Sequence, residues 1–239
     1  MQYYEYLKYL LQKCIDAKEK YIHGAAGCDY YVTAEGDCLY LLFEHSNGRE
    51  DWKNNLDFPA KPYKNMDEVW YCHRGFLKPW RANRDEIEAH VSDGLSGRAE
   101  IKNIICVGYS HGAALAVFAT EDMEYLYGDK YTVSGYGFGA PRVVWGKVPK
   151  GVSRRLNGYT VIRNIPDIVT HLPPKLFGYR DVGIMTELGE RGTYNCIDAH
   201  KYPNYIAELD KLISAEKART WGYGNGVSGR NAYSCISRG

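Results

Sequence analysis

Apolar residues recur at three- and four-residue spacing through residues 3 to 20, where Tyr4, Leu7, Leu11, Cys14 and Ile15 fall on one side of a helical projection. The spacing predicts an amphipathic N-terminal helix, reaching to about residue 21, with one face against a core. Next, DYYVTAEGDCLYLLFEHS holds two β-rich runs around Glu35-Gly36-Asp37, which predicts a hairpin whose second strand, Cys38 to Phe43, is apolar enough to be central. Residues 46 to 69 are polar and contain Pro59 and Pro62, so they read as a long loop with one short helix. Helical periodicity returns from Trp80 to Val91, Ile101 to Val107 reads as a buried strand, and Ala113 to Tyr127 as a helix. Strands are expected at Val133 to Phe138 and Tyr159 to Ile165, and a last helix at Tyr205 to Arg219, with Ile206, Leu209, Leu212 and Ile213 on one side. Strand and helix alternate through the middle of the chain, which predicts an α/β fold with a mostly parallel central sheet flanked by helices. The glycine-rich stretch 221–239 reads as an irregular tail.

At 239 residues the chain suits one domain, 1–239, and its near balance of 30 Lys plus Arg against 29 Asp plus Glu gives a formal net charge of +1. That balance lacks the basic excess of a nucleic-acid binder. No apolar run approaches the ~20 residues that span a bilayer. The N-terminal apolar residues are interrupted by Glu5, Lys8, Gln12 and Lys13, unlike a signal peptide. Seven cysteines are an odd number without a C-x-x-C pair, which argues against a disulfide framework or a zinc knuckle, although Cys28 and Cys38 are spaced to permit a bridge. These features together predict a reducing, cytoplasmic setting, with release by lysis or a dedicated system as the alternative. No metal-ligand cluster, phosphate loop or cofactor fingerprint stands out, so no cofactor is expected.

The chemistry concentrates at Gly108-Tyr109-Ser110-His111-Gly112, where a strand enters and a helix leaves. Glycine on both sides lets the backbone turn sharply, lifting the serine above the sheet edge, and the helix N-terminus places positive potential where an oxyanion would form. This context resembles the nucleophile elbow of α/β-hydrolases. Ser228, in GVSGR, has neither a preceding strand nor the second glycine spacing and is discounted.

A serine hydroxyl needs an imidazole to take its proton and a carboxylate to orient that imidazole. The chain order serine, acid, histidine removes the histidines at 23, 45, 73 and 90, and the elbow points His111 away. His171 shares a loop with Asp167 and is poorly placed to sit between it and Ser110. His200 comes from a separate loop. Ser110, Asp167 and His200 are therefore the expected triad, with Asp181 and Asp198 as competing acids.

These residues belong to a longer ordered series: LLFEHSNGREDWKNNLDF, CHRGFLKPW, GYSHGAALA, YGFGAPRVVWG, VIRNIPDIVTHLPPKLFGYRDVG and DAHKYPNYI. The series resembles the class 3, or fungal-type, lipases of the α/β-hydrolase superfamily. The resemblance implies a serine ester hydrolase acting on acylglycerols or short-chain esters through an acyl-enzyme. The same triad also serves phospholipases and acyltransferases, and a silent hydrolase fold can serve as a binding module. The resemblance places Ser46 and the backbone N–H of His111 at an oxyanion hole, with Glu44-His45 where the family usually has Arg-Gly. It implies a lid over Arg49 to Leu56 around Trp52. REDWKNNL is too charged to lie on oil, which predicts a preference for soluble or short-chain esters, at most transient contact with lipid surfaces, and little interfacial activation. His73 and Arg142 read as structural.

Overall fold

A computed structural model describes residues 1–44, 57–65 and 68–223. Its sheet begins with the expected hairpin. Strands β2 (Asp29–Glu35) and β3 (Cys38–Phe43) pair antiparallel with Glu35 opposite Cys38, and Gly36 at φ +60° supplies the left-handed residue at the start of the two-residue turn. A two-residue strand β1 (Ile22–His23) extends the hairpin at its outer edge.

From β3 onward the sheet is parallel. Its order is β1, β2, β3, β6 (Asn103–Tyr109), β7 (Thr132–Phe138), β9 (Tyr159–Asn164) and β11 (Ile184–Leu188). The pairs β3–β6, β6–β7, β7–β9 and β9–β11 are all parallel. This is the class that the alternation of strand and helix predicts. One face carries α2 (Arg74–Leu95) and α3 (His111–Tyr127), and its core includes Phe43, Trp80, Ile87, Ile104, Leu115 and Phe118. The other carries α1 (Tyr3–Asp16) and α5 (Tyr202–Tyr223), around Leu7, Leu11, Leu42, Val107, Phe138 and Leu209. Lys8 ties the two outer helices by an ion pair with Asp210 at 2.6 Å. A short helix α4 (Lys150–Arg155) sends Arg155 to the fully buried Glu121 of α3 at 2.6 Å.

The structure departs from the sequence reading in several places. Helix α1 stops at Asp16, and residues 18 to 20 form a 3₁₀ turn instead of continuing it. Helix α2 starts at Arg74, ahead of Pro79, because tertiary bonds hold its first turn: the N–H groups of Arg74 and Gly75 donate to the carbonyls of Pro59 and Asp57. The long loop expected between 46 and 69 contains β4 (Ala60–Asn65) and the start of β5 (Glu68–His73). With β8 (Val144–Trp145) and β10 (Tyr179–Arg180) they form a second, four-stranded sheet in the order β10, β8, β5, β4. Pro62 is tolerated there because β4 is an edge strand, where a missing N–H costs no interior ladder bond. Helix α5 runs to Tyr223, into the stretch read as irregular, and the rest of that stretch lies outside the described residues.

Candidate active site

The parallel strands deliver the candidate chemistry to their C-terminal ends. Strand β6 ends at Tyr109, Ser110 makes the turn, and α3 begins at His111. Ser110 takes φ 56° and ψ −119°, a conformation costing of order 1–3 kcal/mol for a residue with a side chain. Its neighbours show why glycine flanks it. A Cβ on Gly108 would fall 2.1 Å from the carbonyl oxygen of Gly112, and one on Gly112 would fall 2.4 Å from that of Glu44. The backbone passes too close to itself for any larger residue. The Ser110 N–H donates to the Phe138 carbonyl at 2.8 Å, fixing the turn against the neighbouring strand.

His200 Nε2 lies 2.8 Å from Ser110 Oγ, and its Nδ1 lies 2.8 Å from Asp167 Oδ2. The three expected residues are therefore brought into one hydrogen-bonded chain. Asp167 sits just after β9, is fully buried, and its other oxygen accepts the Val169 N–H at 2.9 Å. Thr170 Oγ1 donates to the Asp167 carbonyl, which pins the same turn. His200 ends a 3₁₀ turn, Asp198–His200, whose start is capped by the Asn195 side chain accepting from the N–H groups of Ile197 and Asp198. Asn164 Nδ2 donates to the carbonyl of Ala199, tying this loop to the end of β9. Gly139, at φ +61°, leaves room for the imidazole, since a Cβ there would stand 3.0 Å from its Cε1.

Two tyrosines at this site were not singled out from the sequence. Tyr205 Oη donates to Asp167 Oδ2 at 2.6 Å and accepts the Asn164 N–H at 3.1 Å. Burial, and then the Asp167 charge, holds its hydroxyl pKa well above the ordinary tyrosine range, so it remains a donor. Tyr109 stacks on the His200 ring, with centroids 5.4 Å apart at 20°, and its hydroxyl donates to the His200 carbonyl. Burial raises its pKa also, with the Asp167 charge second. Neither residue breaks the helical or strand periodicity around it, so both read as packing aromatics; the available signal was a tyrosine next to each proposed triad loop.

The competing groups are engaged elsewhere. Asp181 pairs with Arg142 and Lys175, and Asp198 with Lys201. His171 is largely exposed, and its carbonyl accepts from Arg142 Nη1; partial desolvation of its ring, followed by the Arg163 charge, lowers its pKa. Arg142 Nη1 also donates to Pro173 O at 3.1 Å, so this guanidinium braces the loop after Asp167. His73 is buried and stacks on Phe76, with ring centroids 4.1 Å apart. His111 is buried against the Phe76 ring, and as the first residue of α3 it turns its N–H out along the helix axis, beside Ser110. The expected oxyanion residue Ser46 and the expected lid around Trp52 lie outside the described residues.

Replacing Tyr205 with phenylalanine removes one of three donors to the Asp167 carboxylate and leaves the Asn164 N–H without that acceptor. Losing a charge-assisted bond of about 1.5 kcal/mol predicts a roughly 10-fold lower kcat on a soluble ester, with KM unchanged because the tyrosine does not face substrate. Steady-state kinetics beside a thermal melt would check this; an unchanged kcat in a folded variant would remove Tyr205 from the relay.

Comparison with known proteins gives a consistent result. Residues 40–177 match the family model described as Lipase (class 3). A secreted mono- and diacylglycerol lipase of Fusarium solani is 31% identical over 132 residues, 54% of this chain and 38% of the relative. A lipase of Rhizomucor miehei is 29% identical over 160 residues, 64% of this chain and 43% of the relative. The chain thus spans about two fifths of the length of the curated relatives it matches. The crystal structure of a lipase from Rhizopus microsporus var. chinensis superposes with a TM-score of 0.56 at 25% identity, covering 68% of this chain and 57% of that one. The cytoplasmic setting expected from the sequence is overturned by the Fusarium protein, which is secreted. Free cysteines do not fix a compartment here: Cys14, Cys28, Cys72 and Cys106 are buried thiols, and burial pushes those of Cys14 and Cys106 up to about 12, which suppresses the reactive thiolate. Cys28 and Cys38 are not bridged.

Proposed function

The chain belongs to the class 3 lipase family, and from that premise we propose that it is a serine ester hydrolase working through Ser110, His200 and Asp167. The single observation carrying this reading is the relay from Ser110 Oγ through both ring nitrogens of His200 to Asp167, each step 2.8 Å. His200 Nε2 takes the hydroxyl proton as Ser110 Oγ attacks the ester carbonyl carbon. The carbonyl electrons move onto oxygen, which the backbone N–H of His111 stabilises, with the second donor the one that the family resemblance assigns to Ser46. Asp167 holds the imidazolium that forms. Collapse expels the alcohol with the proton from His200, leaving an acyl-Ser110, and a water activated by the same imidazole repeats the cycle to release the acid.

The proposed substrates are carboxylic esters of short acyl chain or partial acylglycerols, met outside the cell. The charged segment REDWKNNL around Trp52 supports a lid poorly suited to lie on oil, and hence weak interfacial activation. Among the described residues no helix is long and apolar enough to cross a membrane. Transient lipid contact is supported by exposed apolar residues on the second sheet, Val69, Tyr71 and Trp145, with the Tyr71 and Trp145 rings 5.8 Å apart, and by Leu176 and Phe177 on the 3₁₀ turn before β10.

A fluorophosphonate probe should label Ser110 stoichiometrically, since labelling needs an activated serine. Hydrolysis of glycerol esters from acetate to oleate should then fall with chain length and show no several-fold jump on emulsification. A folded but unlabelled protein would instead favour a binding module. Faster turnover of a phospholipid, or acyl transfer to an added alcohol, would reassign the substrate while keeping the relay.

A further inference from the structure

The buried end of β3 gathers ligands of a kind the hydrolytic reading does not use. Glu44 follows Phe43 directly, is only 7% exposed, and its N–H donates to the Asp29 carbonyl at 3.0 Å. Asp29 is in turn the cross-strand partner of His23 on β1. Three neighbouring rows of the sheet edge thus contribute one imidazole and two carboxylates, and one ligand atom from each lies within 4.8 Å of the others. Their separation is the useful quantity. With metal–ligand bonds of 2.0–2.2 Å at tetrahedral angles, donor atoms stand about 3.3–3.6 Å apart. His23 Nδ1 and Asp29 Oδ2 are already 3.2 Å apart, and the His23 side chain is 79% exposed, so little packing opposes the small shift that would complete the set.

We propose that His23, Asp29 and Glu44 form a binding site for a divalent transition-metal ion such as zinc. One imidazole nitrogen and two carboxylate oxygens suit that ion, and a tetrahedral ion with three protein ligands takes a water as its fourth. Glu44 also helps to wall a cavity of about 190 Å³ with Lys18, Tyr21 and Tyr109, which gives the buried carboxylate a route to solvent. The site lies next to the nucleophile turn, because the Glu44 carbonyl packs against Gly112 so closely that a Cβ there would be 2.4 Å away. A bound ion would clamp the ends of β1, β2 and β3 and hold Glu44 in that contact. It supplies no step of ester cleavage and does not depend on the assignment of the triad.

Isothermal titration of the full chain with zinc chloride tests this, read beside the thermal melt. The wild type should bind one zinc per chain, with a melting temperature that rises with zinc concentration as binding to the folded state requires. His23→Gln, at an exposed position where folding should be unaffected, and Asp29→Asn should each weaken that binding by at least about 10-fold, the lower end of what even indirect metal contacts contribute. Absence of zinc binding to the wild type, or equal affinity in His23→Gln, would overturn the proposal; the second result would send the ion to another side chain, such as His200.

Discussion

Replacement of Ser110 by alanine is expected to lower turnover of a soluble ester by about 10⁴-fold or more, while leaving the melting temperature nearly unchanged. The size follows from what is lost. Without Oγ no acyl-enzyme forms, and what remains is whatever the oxyanion donors and substrate positioning contribute to direct attack by water. The stability effect follows from geometry. Alanine at φ 56° carries the same Cβ and therefore the same backbone strain, while the 2.8 Å bond to His200 disappears from a site that remains partly open to water. Loss of activity without loss of fold would separate chemistry from scaffolding. Full activity on a chromogenic ester would dismiss Ser110 as nucleophile.

The second large effect is expected at Asp167. An asparagine there keeps the volume but offers an amide where His200 Nδ1–H and the Tyr205 hydroxyl both converge on Oδ2. If the amide nitrogen occupies that position, it drives the imidazole into the tautomer whose Nε2 bears the proton, and such a ring cannot accept from Ser110. Turnover should fall by about 10⁴-fold. Asp167 is fully buried, so the variant should also melt at a lower temperature, and kinetics must be measured below that transition. Asp198→Asn is the matched control. Its carboxylate is partly exposed and bonded to Lys201 and Asn195, so activity should stay within about 2-fold, as for a surface change worth no more than about 0.5 kcal/mol. A loss at Asp198 equal to that at Asp167 would show that the acid had been misassigned.

What the sequence made legible divides by the range of the interactions involved. The β2–β3 hairpin, the β6–Ser110–α3 turn and the strands β7 and β9 could be read because their signals are local: a glycine turn, a pair of flanking glycines, short runs of β-branched and aromatic residues. The choice of His200 over His171 also rested on local reasoning about loops. The second sheet was not readable, because β4 carries Pro62 and is held by edge pairing with β5, and β8 and β10 are two-residue strands that exist only through their partners. Strand β11 was missed for the same reason, since Ile184–Leu188 has no run of its own to distinguish it from loop and is defined by its parallel pairing with β9. In α5 all four residues of the expected apolar side pack against the core, Leu209 and Ile213 buried and Ile206 and Leu212 partly so, and the addition the periodicity did not give is Tyr205, fully buried beside Asp167. Its hydroxyl bond to Asp167 is a polar contact that hydrophobic periodicity does not record.

The placement of the imidazole has one consequence for recombination with relatives. The stretch matching the family model ends at Phe177, so it contains the serine and the carboxylate but not His200. His200 and Tyr205, which meet Asp167 from one side, are supplied together by the turn and helix that follow. A chimera joined between 177 and 197 would import an imidazole and a phenol shaped for a foreign carboxylate, whereas a crossover ahead of β9 would carry acid, imidazole and phenol across as one inherited unit.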